Sequence, residues 1–221
     1  MRLRNIPGAD EAIAASPYCI KDASVHKESW HTFLGSESPI HMEIGMGKGR
    51  FLMEQAARHP DIHYIGVERY TSVLLRAVQK LEELQLSNVH FLCEDAACLP
   101  EIFGAGEVGR IYLNFSDPWP KARHSKRRLT SREFLERYDR FLAPEGRLEF
   151  KTDNQELFTF SLEELKESDR WHIDAFTRDL HHDPVLNRDN ILTEYEEKFS
   201  AMNHPICKLL ASRERKREVL T

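Results

Sequence analysis

The sequence predicts an α/β fold in which helices cover both faces of a mostly parallel β-sheet. Short apolar runs of strand length alternate with amphipathic segments of helical periodicity, which is the pattern of βαβ units. The first apolar run ends in a turn that contains Gly45, Gly47 and Gly49, at the edge of a parallel sheet where ligands bind. The last two apolar runs have no helical pattern between them, which predicts an antiparallel last strand.

The elements follow in order along the chain. Residues 1–38 have little periodicity, so we expect an extended N-terminal arm, followed by one domain at 39–221. Short unbroken apolar runs predict strands, and apolar residues that recur at i, i+3 and i+4 predict helices. The first half contains strand 40–44, helix 51–57, strand 63–67, helix 73–84 and strand 89–93. The second half contains strand 110–115, helix 134–142, strand 147–151, helix 157–166, strand 171–176, a polar loop at 181–197 and a last strand at 198–210.

Composition narrows the class of protein. A chain of 221 residues with 41% hydrophobic and 30% charged residues is typical of a globular domain. No run approaches the ~18 apolar residues of a membrane helix, and no apolar signal segment follows Met1. We therefore expect a cytoplasmic protein with no membrane partner. The four cysteines form no C-x-x-C pair and no histidines stand at zinc-finger spacing, so we predict reduced thiols and no metal site.

The charge is unevenly distributed. The net charge is -5, yet residues 121–132 hold six basic side chains and no acidic one. That stretch carries +6, so the rest of the chain carries -11. A second basic cluster lies at 208–217. An acidic body with local basic stretches predicts a protein that binds a polyanion at one place.

The glycine turn, Glu43-Ile44-Gly45-Met46-Gly47-Lys48-Gly49, allows the backbone to approach a ligand closely. The alternative is a tight turn packed under a helix. A dinucleotide fingerprint would need glycine where Arg50 stands, which argues against NAD. Glu43 would face an ammonium group or the amides of the turn itself.

Acidic residues follow the next two strands. Glu68 ends the second strand, 19 residues after Gly49, where a carboxylate can bind both hydroxyls of a ribose. A solvated acid at a strand end is an equally good interpretation. Asp95 follows the third strand and could accept a hydrogen bond from an adenine amine. The local sequence favours the alternative, a cap on the next short helix.

The segment Asn114-Phe115-Ser116-Asp117-Pro118-Trp119-Pro120-Lys121 is the most informative part of the sequence. Two prolines stiffen a loop that presents Asp117 and Trp119 at the end of the fourth strand. A carboxylate beside an aromatic ring and a lysine suits a nucleobase. The alternative is a proline-rich turn with a core tryptophan. Because the basic run follows at once, the nucleobase site is the better interpretation.

These motifs together resemble the bacterial tRNA (guanine-N7)-methyltransferase family. The resemblance rests on the glycine turn, on Asp117-Pro118-Trp119-Pro120-Lys121 with the basic residues that follow, on Lys151-Thr152-Asp153 and on residues 193–199. It extends from about residue 40 to 213, in the order of the family. One departure is Ala122, where many relatives carry a basic residue.

The resemblance implies a Rossmann-like, seven-stranded methyltransferase sheet, S-adenosylmethionine as cofactor and tRNA as partner, with a variable-loop guanosine as target. It also favours a homodimer. It assigns the catalytic role to Asp117. It assigns the cofactor to Glu43, Gly45, Gly47, Gly49, Glu68, Asp95 and Asp117. It assigns the guanosine to Lys121, Asp153, Thr193, Glu194, Tyr195 and Glu196. It assigns RNA contacts to Arg123, His124, Ser125, Lys126, Arg127 and Arg128.

The chemistry of this target asks for alignment rather than a general base. Guanine N7 has a free lone pair and needs no deprotonation before it attacks a methyl group. Three alternatives remain. A methyltransferase for small molecules or proteins would not need the basic run. A non-catalytic RNA-binding module would be expected to have lost Glu43, Glu68 or the glycines. A dehydrogenase is disfavoured by Arg50.

Overall fold

The computed structural model describes residues 6–200 and 204–213, and its centre is a seven-stranded sheet. The strand order is β3-β2-β1-β4-β5-β7-β6. The strands are β1 Ile40–Ile44, β2 His63–Val67, β3 Val89–Leu92, β4 Val108–Asn114, β5 Leu142–Thr152, β6 Trp171–Thr177 and β7 Cys207–Arg213. Strands β1 to β5 are parallel, and β7 is antiparallel to both of its neighbours. The predicted α/β fold with an antiparallel last strand is confirmed.

Helices cover both faces of this sheet. They are α1 Ala9–Ala15, α2 Trp30–Leu34, α3 Arg50–Arg58, α4 Thr71–Leu84, α5 Leu99–Ile102, α6 Arg132–Asp139, α7 Gln155–Lys166 and α8 Glu194–Ser200. Because successive side chains of a strand point to opposite faces of the sheet, the strands contribute to two hydrophobic cores. One core joins α2, α5, α6 and α7 to β1 through residues such as Met42 and Ile44. The other joins α1, α3 and α4 to the opposite face, with Tyr64 and Tyr112. None of the helices in the described part of the chain could span a membrane.

The extended arm predicted for the N-terminal segment is wrong for residues 6–38. This segment contains α1, α2 and a 3-10 helix at Ala23–His26, while residues 1–5 lie outside the described part. The indole of Trp30 is fully buried and donates a hydrogen bond of 2.9 Å to the carbonyl of Ile102. Each helix is too short for a repeating apolar stripe, and one large side chain anchors the segment instead. The division at residue 38 remains a prediction.

Two boundaries in the second half also differ from prediction. The helix expected at 134–142 ends at Asp139, and strand β5 begins at Leu142 rather than at 147. Leu142 pairs with Val108 of β4, and the register shifts just afterwards, where Pro144 is tolerated within the strand. The pairing partner, which is distant in sequence, therefore decides where the strand starts.

The largest differences from prediction lie in the expected polar loop at 181–197 and the expected last strand at 198–210. Glu194–Ser200 is helix α8, a 3-10 helix lies at Leu180–His182, and β7 begins only at Cys207. A helix therefore stands between β6 and β7, contrary to expectation. The antiparallel arrangement still holds, because β7 inserts between β5 and β6 and pairs with both.

Candidate active site

The glycine turn lies at the carboxyl end of β1. Gly45, Gly47 and Gly49 all have positive φ angles, of 72°, 60° and 73°. The amide of Gly45 donates a hydrogen bond of 2.8 Å to the carbonyl of Val67, which ties the turn to β2. A Cβ atom added at Gly45 or Gly47 would meet no atom within 4 Å. Backbone conformation therefore requires glycine here, and the space above the turn is open to a ligand.

Glu43 is a buried acid beside this turn. Its Oε1 accepts a hydrogen bond of 2.8 Å from Nδ2 of Asn114, while Oε2 has no partner among the described residues. Burial raises the pKa of Glu43 to about 7, opposed by Asn114 and by the charge of Lys151. A buried carboxylate oxygen without a donor is suited to a cationic or hydrogen-bonding ligand group. Asn114 carried no role in the sequence-based prediction.

Glu68 closes the turn from the side of β2. Its Oε2 accepts a hydrogen bond of 3.2 Å from the amide of Gly47, and its Oε1 accepts one of 3.0 Å from the amide of Tyr70. Burial raises the pKa of Glu68, and the two amides oppose that shift. A carboxylate has about four acceptor positions, so both oxygens keep capacity for ribose hydroxyls.

Asp95 adopts the local role that the sequence favoured. Its Oδ1 accepts a hydrogen bond of 2.9 Å from the amide of Ala97 and caps a short 3-10 helix. Its Oδ2 lies 3.5 Å from a guanidinium nitrogen of Arg69. The side chain is 52% exposed, so it remains accessible next to the end of β3.

The loop after β4 presents Asp117 to solvent. Phe115 and Trp119 have positive φ angles of 53° and 43°, a conformation that costs of order 1–3 kcal/mol each in a non-glycine residue. Asp117 and Lys121 are exposed. Trp119 is half-buried, so the alternative of a core tryptophan does not hold. Its ring contacts the edge of His124, with centroids 5.7 Å apart.

The basic run forms a 3-10 helix at Ala122–Arg127. Lys121, Arg123, Lys126 and Arg127 are exposed, whereas His124, Ser125 and Arg128 are half-buried. Lys126 lies 3.1 Å from Glu133, and the Arg127 guanidinium lies 5.0 Å from the centre of the Trp119 ring. Arg128 points inward and bonds to the loop that carries Asp117. The run therefore does not present all of its charges to one partner.

A buried ion pair that sequence reasoning missed lies behind the site. Lys151 is 3% exposed, and its Nζ donates hydrogen bonds to Oε2 of Glu196 at 2.6 Å, to Oδ1 of Asn190 at 3.0 Å and to the carbonyl of Ile191 at 2.9 Å. Burial alone would raise the pKa of Glu196, but Lys151 and hydrogen bonds from Asn190 and His181 hold it below its ordinary value. The motif Lys151-Thr152-Asp153 drew attention to Lys151, but nothing in the local sequence indicates that Glu196 turns inward.

The segment that begins α8 brings several predicted residues together. Thr193 accepts a hydrogen bond of 2.9 Å from the amide of Glu196. The hydroxyl of Tyr195 donates a hydrogen bond of 3.3 Å to Oδ2 of Asp153, and its ring lies 4.8 Å from the ring of Phe115. Tyr195 and Asp153 therefore adjoin the Asp117 loop.

Glu194 faces the glycine turn instead. Its carboxylate bridges Lys48, at 2.9 Å, and Lys80. These two lysines lower the pKa of Glu194 to about 2. The segment thus connects the glycine turn with the Asp117 loop.

Known proteins resemble this chain over most of its length. A family described as "Putative methyltransferase" matches residues 37–209. The tRNA (guanine-N(7)-)-methyltransferase of Lachnoclostridium phytofermentans is 55% identical over 215 residues, which cover 97% of this chain and 100% of that protein. The enzyme of the same name from Geobacillus thermodenitrificans is 49% identical over 214 residues, covering 96% and 98% of the two chains.

Solved structures share the fold at low sequence identity. An antibiotic-related methyltransferase superposes with a TM-score of 0.62 at 18% identity, covering 86% of this chain and 94% of the other. The geranyl diphosphate C-methyltransferase of Streptomyces coelicolor, solved with S-adenosyl-L-homocysteine, has a TM-score of 0.53 at 16% identity, covering 87% and 80%. Both likenesses concern the fold alone and agree with the predicted methyltransferase sheet.

Proposed function

The chain belongs to the tRNA (guanine-N(7)-)-methyltransferase family, and from this premise we propose that it transfers a methyl group from S-adenosylmethionine to N7 of a guanosine in the variable loop of tRNA. One observation carries the proposal. Asn114, which leads into the Asp117 loop, donates a hydrogen bond of 2.8 Å to Glu43, two residues before the first glycine of the turn. The glycine turn, which is suited to a nucleoside-containing cofactor, and the Asp117 loop, which the basic run follows, thus meet at one edge of the sheet.

The cofactor would be held by the glycine turn and the acids around it. When bound, S-adenosylmethionine supplies a methyl group carried on a positively charged sulfur. The free Oε2 of Glu43 would oppose positive charge beside the turn, and Glu68 would accept from ribose hydroxyls. Asp95 would accept from the adenine amine through its exposed carboxylate. Gly45 and Gly47 leave room for the ligand to approach the backbone, whereas Gly49 packs against Met53 and shapes the turn from below.

The guanosine would lie between the Asp117 loop and the segment 193–196. Asp117 would accept hydrogen bonds from the N1–H and N2 amine of guanine, which fixes the ring and opposes the positive charge that develops on it. Tyr195 offers an exposed ring and Asp153 a carboxylate next to that loop. Lys121 would contact the nucleoside from the rim. Since N7 carries no proton, none of these residues acts as its general base.

The tRNA backbone would bind the exposed part of the basic run. Lys126, Arg127 and Arg123 present their charges to solvent and are suited to phosphates. Inside the site the charges are negative and at its rim they are positive, which matches a positive cofactor and a polyanionic substrate.

We further propose that the protein is cytoplasmic and forms a homodimer. We also propose that residues 1–38 form an N-terminal segment that precedes the methyltransferase domain.

A transfer assay tests the proposal directly. The protein is incubated with S-adenosylmethionine labelled in the methyl group and with bulk tRNA, the RNA is digested, and the labelled nucleoside is identified. We expect 7-methylguanosine, formed by the Asp117→Ala variant at a rate at least about 10-fold lower than by the parent. Label in another nucleoside, or only in protein or small molecules, would overturn the proposal.

A further inference from the structure

We propose that Arg128 is a positioning residue, which holds the Asp117 loop in its working conformation, and not a contact for RNA. This inference rests on the proposed function and divides the basic run into two parts. Exposed residues of the run face the polyanion, whereas the last arginine faces the protein.

The Arg128 guanidinium donates hydrogen bonds to two successive backbone carbonyls. Its Nε donates a hydrogen bond of 2.9 Å to the carbonyl of Pro118, and a terminal nitrogen donates one of 3.2 Å to the carbonyl of Trp119. These carbonyls belong to the two residues that follow Asp117 in the chain. A planar fork of donors suits this pair of acceptors, and the point charge of a lysine does not.

The guanidinium also lies on an aromatic platform. Its central carbon is 4.3 Å from the centre of the Phe160 ring, and Phe160 belongs to α7. Stacking and charge attraction to the ring favour this placement over a freely rotating side chain. The loop is therefore tied through Arg128 to a helix that is packed into the core.

The backbone that carries Arg128 is itself firmly held. The amide of Arg128 donates to the carbonyl of Ser125 at 3.0 Å. The hydroxyl of Tyr138 donates to the carbonyl of Leu129 at 3.0 Å, and the hydroxyls of Thr130 and Ser161 lie 2.6 Å apart. Arg128 can hold the Asp117 loop in place only if its own backbone is held, because a mobile anchor would not fix its partner.

The loop needs to be held in place. Trp119 has a φ of 43°, and Pro118 and Pro120 have no backbone N–H with which to stabilise the loop. Without an external partner, the strained Trp119 would relax toward negative φ. Because Asp117 immediately precedes Pro118 and Trp119, its carboxylate would move with them.

The experiment compares Arg128→Ala with Arg123→Ala, an exposed arginine in the same run. Two quantities are measured for each variant: the single-turnover methylation rate at saturating tRNA and cofactor, and the slope of log tRNA affinity against log salt. We expect Arg128→Ala to lower the single-turnover rate at least about 10-fold and to leave the salt slope unchanged. We expect Arg123→Ala to flatten the slope by about 0.7–0.9, the effect of one lost phosphate contact.

Two milder variants keep the test informative if Arg128→Ala does not fold. Arg128→Lys retains the charge but not the fork, and Phe160→Leu removes the aromatic platform while keeping an apolar side chain against the core. Both should lower the rate at saturation without changing the salt slope. An Arg128→Lys enzyme with the parent rate, or a flattened slope in Arg128→Ala, would overturn the inference. If the parent protein itself makes no 7-methylguanosine, the proposed function fails instead, independently of Arg128.

Discussion

Two groups of charged residues border the candidate site, and they differ in depth. The pair Lys151 and Glu196 is 3% and 0% exposed and holds the segment that begins α8 from within. Asp117 and Lys121 lie on an exposed loop held by the half-buried Arg128. A buried ion pair is strongly coupled to folding because losing one partner strands the other charge, whereas exposed charges contribute little to stability. Depth therefore separates the residues that maintain the site from those that are free to act on a ligand.

The largest expected effect is the loss of the buried pair. Lys151→Ala leaves the Glu196 carboxylate buried without its main counter-charge, so the free energy of unfolding should fall by about 3–5 kcal/mol. Urea denaturation measures it. Lys48→Ala is the matched control, because Lys48 forms an ion pair with Glu194 while 55% exposed, and it should cost at most about 1 kcal/mol. Equal losses in the two variants would mean that the buried pair contributes no more to stability than the exposed pair.

The buried side of the site should also be sensitive to pH through Glu43. Burial raises the pKa of Glu43 from 4.5 to about 7, so the folded protein binds this proton more tightly than the unfolded chain does. The stability due to this proton is fully present below pH 4.5 and is lost as the pH rises through about 7. Glu43→Gln keeps an acceptor for Asn114 and never ionises. Relative to the parent, its free energy of unfolding should therefore increase by about 2–3 kcal/mol from about pH 5 to about pH 8.

Urea denaturation at several pH values tests this expectation for Glu43. Asp117→Asn serves as the control, because it makes the matching acid-to-amide replacement at an exposed position. A Glu43→Gln curve parallel to that of the parent would mean that Glu43 does not belong with the buried charges.

The exposed loop should show the opposite behaviour, a change in rate without a change in stability. Asp117→Asn offers one acceptor and one donor where guanine presents two donors, and a contact of this kind is worth about 1–3 kcal/mol. The single-turnover rate should fall roughly 10- to 100-fold, while the urea midpoint changes by less than the equivalent of about 0.5 kcal/mol. A folded Asp117→Asn protein with the parent rate would remove Asp117 from the site.

Local sequence was sufficient for the first two parallel strands. The mostly apolar runs at 40–44 and 63–67 predicted β1 and β2 with their observed bounds, since a parallel strand covered on both faces is mostly apolar. The glycine turn and the stiff Asp117 loop were also visible, because φ preferences are properties of single residues. The residue types around the site could therefore be predicted before any contact was known.

The direction in which the charged side chains face depends on tertiary contacts. Arg128 belongs to a basic run and Glu196 to an acidic segment, and both patterns predict solvent exposure. Arg128 turns inward because Phe160 and the Pro118 carbonyl meet it there, and Glu196 does so because Lys151, 45 residues earlier, requires a counter-charge. Helix α8 was missed for a related reason, since ion pairs from Glu194 and Glu197 to Lys48 and Arg50 hold it against the glycine turn. Partners so distant in the chain leave no periodicity in the local sequence, so their effect appears only once the sheet has brought them together.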